Sequence, residues 1–248
     1  MSGPPSLLIF IVDLAAARGL LEADEAQTPR LAADETARFN HKGSALGDDD
    51  ARDWRAAHIA LRIILERETS TALRGVAYDR APGGRPRIPR SLGLARSPEF
   101  SLAHAGATAL IGVSHDDVVG VDIEMPRDIR MSDERRARVI SAAVCLAPEL
   151  ALPEDSDARL LQAWVRLEAI AKATGLGIGR ILTEAGAVGG SKSESSEAAP
   201  SHGFRVADLA VGPDRFAAVA APRLPQNSAI HTFATDAAAL TAFKTKRA

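Results

Sequence analysis

The period of the apolar positions changes several times along the chain, and each change marks an element. Leu7 to Val12 is an unbroken apolar run ending at Asp13, which predicts a strand buried on both faces. Thr28-Pro29 opens a short helical stretch through Leu31, Glu35, Arg38 and Phe39. Gly43 to Asp50 reads as a polar loop, with Asp49 or Asp50 placed to cap the helix that follows. On that helix Trp54, His58, Leu61 and Leu65 make an apolar stripe, while Arg52, Arg55 and Arg62 make a separate basic one. Residues 79–99, rich in Pro and Gly, read as loop. Phe100–Leu102 and Ala107–Ser114 read as short strands. His115-Asp116-Asp117 then supplies a turn, and Val118–Glu124 returns as a third strand closed by Pro126.

A charged segment from Arg127 to Arg138 leads into a helical run ending near Leu150. Asp157 is placed to cap a second strong helix that runs to about Thr174 and stops at Gly175. Ser191 to Ser201 is rich in Ser and Glu with almost no bulky apolar residue, and predicts a mobile loop. Phe204–Leu209 and Arg215–Ala221 read as the last two strands. The pattern suggests two halves of strand–helix–strand character meeting near His115.

Composition narrows the class. The 248 residues are 46% hydrophobic and 25% charged, ordinary for a globular protein that buries a sizeable core. Cys145 is the only cysteine, which excludes a disulfide framework or a cysteine-rich zinc module. A formal charge of −2 does not favour a general nucleic-acid binder. The longest early apolar run is too short for a secretory signal and nothing approaches a membrane span, so a cytoplasmic protein is expected.

Four segments carry candidate chemistry. In Val121-Asp122-Ile123-Glu124 the two acids point to one side of the strand. Paired carboxylates repel unless a cation or proton lies between them, and oxygen-only ligands suit a hard divalent ion such as Mg²⁺. A half-buried strand with a solvated polar face would give the same pattern. Glu168 shares a helix face with Leu161, Trp164, Val165, Ala171 and Lys172, opposite Arg159 and Arg166. A carboxylate on that apolar side needs a cation or a proton; an exposed Glu168–Lys172 pair, worth only about 0.3–0.5 kcal/mol, is the plainer reading. His104, followed by Ala105-Gly106, fits a hydrogen-bonded turn residue as well as a ligand contact. Gly84-Arg85-Pro86-Arg87-Ile88 is a basic loop that suits phosphate or plain solvation.

Taken together, these segments resemble the 4′-phosphopantetheinyl transferase superfamily, closest to the longer type that activates peptide and polyketide synthetases. That family shows a Gly-Lys-Pro loop, a Ser-His-Ser-type segment, Gly-Val-Asp-Ile-Glu and Trp-x-x-Lys-Glu-Ala-x-x-Lys. This chain has, in the same order, Gly84-Arg85-Pro86, Ala103-His104-Ala105, Gly120-Val121-Asp122-Ile123-Glu124 and Trp164-Val165-Arg166-Leu167-Glu168-Ala169-Ile170-Ala171-Lys172. The likeness runs from about Leu31 to Gly177. It departs at Leu167, where the family often has Lys, at Arg85 for Lys, and at Ala103 and Ala105 for hydroxyl residues.

The resemblance implies an α+β fold built as a pseudo-twofold pair of similar halves, here residues 1–115 for the coenzyme's nucleotide and 116–248 for the metal site and carrier docking. It implies Mg²⁺-dependent transfer of phosphopantetheine from coenzyme A to a serine of an apo carrier protein, of the holo-acyl-carrier-protein synthase type, by a monomer. By that likeness Asp122, Glu124 and Glu168 hold Mg²⁺, Glu168 or a water it holds takes the serine proton, and Lys172 steadies the diphosphate. Arg85, Pro86, Ala103 and His104 match coenzyme-contacting positions, and the Arg52/Arg55 stripe is the expected seat of the 3′-phosphate because Arg binds phosphate bidentately. Arg127, Arg130, Arg135 and Arg136 either meet an acidic carrier or pair with Asp128, Asp133 and Glu134. Two other classes share these residues: a carrier-binding module without chemistry, and a metal-dependent phosphohydrolase in which the carboxylates activate water.

Overall fold

The structure, a computed structural model, describes residues 7–45, 48–81, 83–185, 203–225 and 229–245. The stretch Ser191–Ser201 lies outside them.

The apolar run forms β1 (Leu7–Asp13), with its two faces serving two different cores. Phe10 and Val12 pack under helices, whereas Leu7 and Ile9 face a second sheet. Asp13 accepts from the Ala16 N–H at 3.0 Å and caps α1 (Leu14–Gln27), a helix that the sequence pattern did not reveal. The helix expected from Thr28 begins later, as α2 (Ala33–Ala45), where Glu35 reaches back to the Ala32 N–H at 3.0 Å. Most of the loop expected over 43–50 is helix instead. α2 runs to Ala45 and α3 (Asp48–Thr69) starts at Asp48, leaving Asp49 and Asp50 inside α3.

The short strands β2 (Asp79–Arg80) and β3 (Pro86–Arg87) pair within the basic loop. β4 (Glu99–Ala105) and β5 (Thr108–Ser114) then form a tight hairpin at Gly106, whose φ of 51° suits glycine. β1 pairs antiparallel with β5, so both edges of β5 are taken. That explains the main correction to the expected topology. The 115–117 turn does not fold β6 (Gly120–Glu124) back beside β5, because no free edge remains there.

β6 instead starts a second sheet. After α4 (Asp133–Leu146), α5 (Ser156–Thr174) and α6 (Ile178–Glu184), it pairs with β8 (Phe216–Ala221), which also pairs with β7 (Arg205–Asp208). α6 was not foreseen, and Asp155 rather than Asp157 caps α5, accepting from the N–H groups of Asp157 and Ala158. Val121, Ile123, Ala217 and Val219 pack against Leu7, Ile9 and Leu110 of the first sheet. Gly112 makes room for this, since a Cβ there would lie 2.8 Å from Val121 Cγ1. Helices α4–α6 cover the other face of the second sheet. The molecule is thus layered helix, sheet, sheet, helix, with an α+β fold.

The two halves repeat one connectivity. Each runs strand, helices, then a β-hairpin whose second strand pairs with the first, giving the orders β4-β5-β1 and β7-β8-β6. The expected boundary at 115 falls between β5 and β6, but the chain later crosses back. β9 (Ile230–Thr232) pairs parallel to β1, and Phe233 just after it and Leu240 of α7 (Ala237–Thr245) join the first core. Among the described residues no helix is long and apolar enough to cross a membrane.

Each half also buries one arginine completely. Arg62 binds Glu35 and the carbonyls of Leu73 and Val76, and Arg166 binds Asp208 and the carbonyls of Leu150 and Ala151. The sequence reading places Arg62 in a basic stripe and Arg166 away from the apolar face. Both are core residues because each guanidinium nitrogen finds an acceptor.

Candidate active site

The site is assembled where α5 crosses β6. Gly120, Asp122 and Glu124 share one face of the strand, and the missing side chain at Gly120 lets the helix backbone come down on it. A Cβ at Gly120 would sit 2.0 Å from the Ala169 carbonyl oxygen and 2.5 Å from the Ala173 nitrogen. Glu168 and Lys172, one turn apart on α5, are thereby carried over the strand. Lys172 Nζ donates to Asp122 Oδ1 at 2.6 Å and to the Val121 carbonyl at 3.2 Å. Arg127 Nη2 lies 3.3 Å from Glu124 Oε1.

The electrostatics follow from this crowding. Asp122 is only 7% exposed, and burial pushes its carboxyl up to about 6. Lys172 opposes that rise, while Glu168 and Glu124 add to it. Burial likewise raises Glu168, against Lys172 and with Glu124. Three carboxylates therefore share one neighbourhood with the half-buried Lys172 ammonium beside them.

Among the described residues no three His, Cys, Asp or Glu side chains form a ready-made metal cluster. The expected three-carboxylate cage is not assembled; Lys172 is bound to one of its members instead. The donor set itself suits a hard divalent cation, being all oxygen and short of positive charge. Seating such an ion on Asp122 Oδ1 requires Lys172 Nζ to move off it.

Two clefts open on either side of Lys172, of about 380 and about 530 Å³, within the range of small-molecule sites. The first is lined by Arg38, Tyr78, Arg80, Arg85, Pro86 and Phe100, with Glu168 at its α5 wall. The second is lined by Trp54, Ala103, His104, Asp122, Glu124 and Arg127. His58, Leu102 and Lys172 line both. Arg85 ties the basic loop to the second half, donating to the Ala173 carbonyl at 3.1 Å and lying 3.2 Å from Glu99. Burial holds its pKa below the usual guanidinium value. The loop sits so close to the end of α5 that a Cβ at Gly83 would fall 2.0 Å from the Gly175 carbonyl oxygen.

The structure brings together most of the residues singled out in the sequence, and leaves two outside. Arg52 is held bidentately by Glu22 at 2.9 and 2.7 Å, and Arg55 lies over the Phe39 ring at 5.3 Å. Neither lines these two clefts. Arg38 and Arg80 do; Arg80 lies in the arginine-rich segment from Arg74 to Arg96, whereas Arg38 stood out only as part of the helical stretch after Thr28. Leu167 is fully buried in the core under α5, so a side chain at 167 faces away from both clefts. Of the proposed docking arginines, Arg127 faces Glu124 and Arg136 is committed to Asp157 at 2.6 Å, while Arg130 and Arg135 are exposed.

Residues 118–196, which carry Asp122, Glu124, Glu168 and Lys172, match the family model of the 4′-phosphopantetheinyl transferase superfamily. That stretch of the chain is similar to the superfamily. A protein of Synechocystis sp. (strain ATCC 27184 / PCC 6803 / Kazusa), provisionally named a 4′-phosphopantetheinyl transferase, is 29% identical over 134 residues. Those residues are 52% of this chain and 52% of the relative, so the chain spans about half the length of the curated protein it matches. The superfamily match falls on β6 and helices α4–α6, which carry Asp122, Glu124, Glu168 and Lys172 of the α5–β6 crossing.

Proposed function

We propose that the protein transfers 4′-phosphopantetheine from coenzyme A to a serine hydroxyl of an apo acyl or peptidyl carrier protein, releasing adenosine 3′,5′-bisphosphate. The observation that carries this reading is the placement of Glu168 and Lys172 beside Asp122 and Glu124, between an arginine-lined cleft and an acidic one. In the transfer, the serine oxygen forms a bond to the phosphorus that bears the pantetheine arm. The anhydride bond to the second phosphate breaks, and its bridging oxygen leaves with the nucleotide.

Glu168, directly or through a water it holds, accepts the serine proton; a carboxyl raised by burial is a better base than an exposed one. Lys172 offsets charge on the diphosphate as the leaving group forms. Arg85, with Arg38 and Arg80 in place of Arg52 and Arg55, supplies cations for the phosphorylated nucleotide, with Pro86 in the same wall. Ala103 and His104 border the reacting end. Asp122, Glu124 and Glu168 are the residues that would hold Mg²⁺, which would withdraw charge from the breaking anhydride.

The test is to incubate the protein with apo carrier, coenzyme A and Mg²⁺ and to weigh the intact carrier. A gain of one phosphopantetheine is expected. Cleavage of coenzyme A without a heavier carrier would make the protein a phosphohydrolase, and binding with neither change would make it a docking module; either overturns the proposal.

A further inference from the structure

His58 reads as part of an apolar stripe on α3, yet it is one of three side chains that line both clefts. Its setting is built from the core outward. Arg62, one turn further along α3 and wholly buried, donates through Nε to Glu35 Oε2 at 2.7 Å. Its other groups are spent on the carbonyls of Leu73 and Val76. Glu35 also accepts the Ala32 N–H, and turns Oε1 to His58 Nδ1 at 3.1 Å. Burial alone would raise the Glu35 carboxyl, but His58, Arg62 and the Ala32 N–H together bring it below its ordinary value. An ionised carboxylate can only accept, so Nδ1 is the donor and the ring plane is fixed. Trp54 packs on the ring with centroids 4.0 Å apart. Nε2 is left as the polar atom of His58 that can serve a ligand in the clefts.

We infer that His58 binds the diphosphate of the coenzyme where the two clefts meet. The inference rests on the coenzyme reading above and names a contact that reading did not use. A ligand with its nucleotide among Arg38, Arg80 and Arg85 and its reacting phosphate near Asp122 must pass the side chains shared by both clefts. Leu102 offers no polar group there, so His58 and Lys172 are the two shared side chains able to meet the phosphates. His58, set between Glu35 and an incoming phosphate, meets anions on both edges, and bonding to both takes a proton on each ring nitrogen. Its role is to bind and orient the diphosphate; Glu35 and Arg62 are positioning residues that aim it.

Asn and Gln at position 58 separate this role from a purely structural one. An Asn amide falls near the Nδ1 position and keeps the Glu35 bond; a Gln amide reaches to the Nε2 position. Calorimetric titration of the full chain is expected to show His58→Asn binding coenzyme A about tenfold more weakly than wild type, the loss of one hydrogen bond to a charged group. The same factor is expected for 3′-dephospho-coenzyme A, while His58→Gln stays within about threefold for both, since it keeps the donor. Wild-type affinity in His58→Asn, a weaker His58→Gln, or a loss confined to coenzyme A would each overturn the inference, the last by moving the contact to the 3′-phosphate. If His58→Asn fails to fold, His58→Met, similar in size and without a donor, takes its place with the same expectation. A wild-type protein that binds neither nucleotide would instead overturn the coenzyme reading, and this inference with it.

Discussion

Asp122 shows how one side chain links stability to function. Its folded carboxyl titrates near 6, above the ordinary range of a free aspartate. Between about pH 4 and about pH 6 the folded protein therefore binds more protons than the unfolded chain, and stability falls as pH rises through that window, by on the order of 2–3 kcal/mol. Subtracting the unfolding free energies of Asp122→Asn from those of metal-free wild type, point by point in pH, isolates this slope; a flat difference would refute it. Glu168 is the other decisive carboxylate. Glu168→Gln keeps the helix and is expected to lower transfer at least about 100-fold, the usual weight of a positioned base, with little change in unfolding midpoint. Near-normal turnover would remove Glu168 from the mechanism. Alternation along β6 and the apolar surroundings on α5 made both residues legible in the sequence. Arg52 misled because its choice of Glu22 as partner depends on how α1 packs on α3.

At the scale of elements, the site depends on how closely α5 approaches β6. Gly120→Ala would drive a methyl group into the Ala169 carbonyl, and the contact is backbone on both sides, so neither part can yield cheaply. The variant is expected to lose about 1–3 kcal/mol, as overpacked cores do, and to lose transfer activity as Lys172 and Glu168 move away from Asp122. Thermal unfolding and the carrier mass assay measure the two losses separately. Elements with a strong apolar signature, such as the unbroken runs of β1 and β8 and the striped α5, could be read directly. α1 could not, because its buried face is Leu14, Ala17, Leu21 and a glutamate: Glu25 is buried and accepts from the N–H groups of Arg30 and Leu31. α6, β9 and α7 are short and were hidden for a similar reason, since each takes its stability from docking rather than from its own pattern.

The whole molecule is closed by its own C-terminal segment. Phe233 is 2% exposed and packs with Phe243, whose ring also carries the Arg67 guanidinium at 4.1 Å. Phe233→Ala is expected to cost about 3–5 kcal/mol, read from denaturant unfolding, and so to loosen the first half, which walls the arginine-lined cleft. A cost below about 1 kcal/mol, the range of surface changes, would show that the segment is not integral to that core.

By itself the sequence determined the strand faces, the main helices of each half and the acidic, basic and small-residue motifs, because side-chain periodicity and capping are local and repeat every two or 3.6 residues. It did not determine which strand edges remained open, so the return of β6 into a second sheet and the crossing of β9 to the first were decided only in three dimensions. The partners of Arg52, Arg62 and Arg166, and the meeting of His58 with both clefts, were decided in the same way. A charged side chain settles on whichever acceptor the packing brings within about 3 Å, and that acceptor can lie anywhere along the chain.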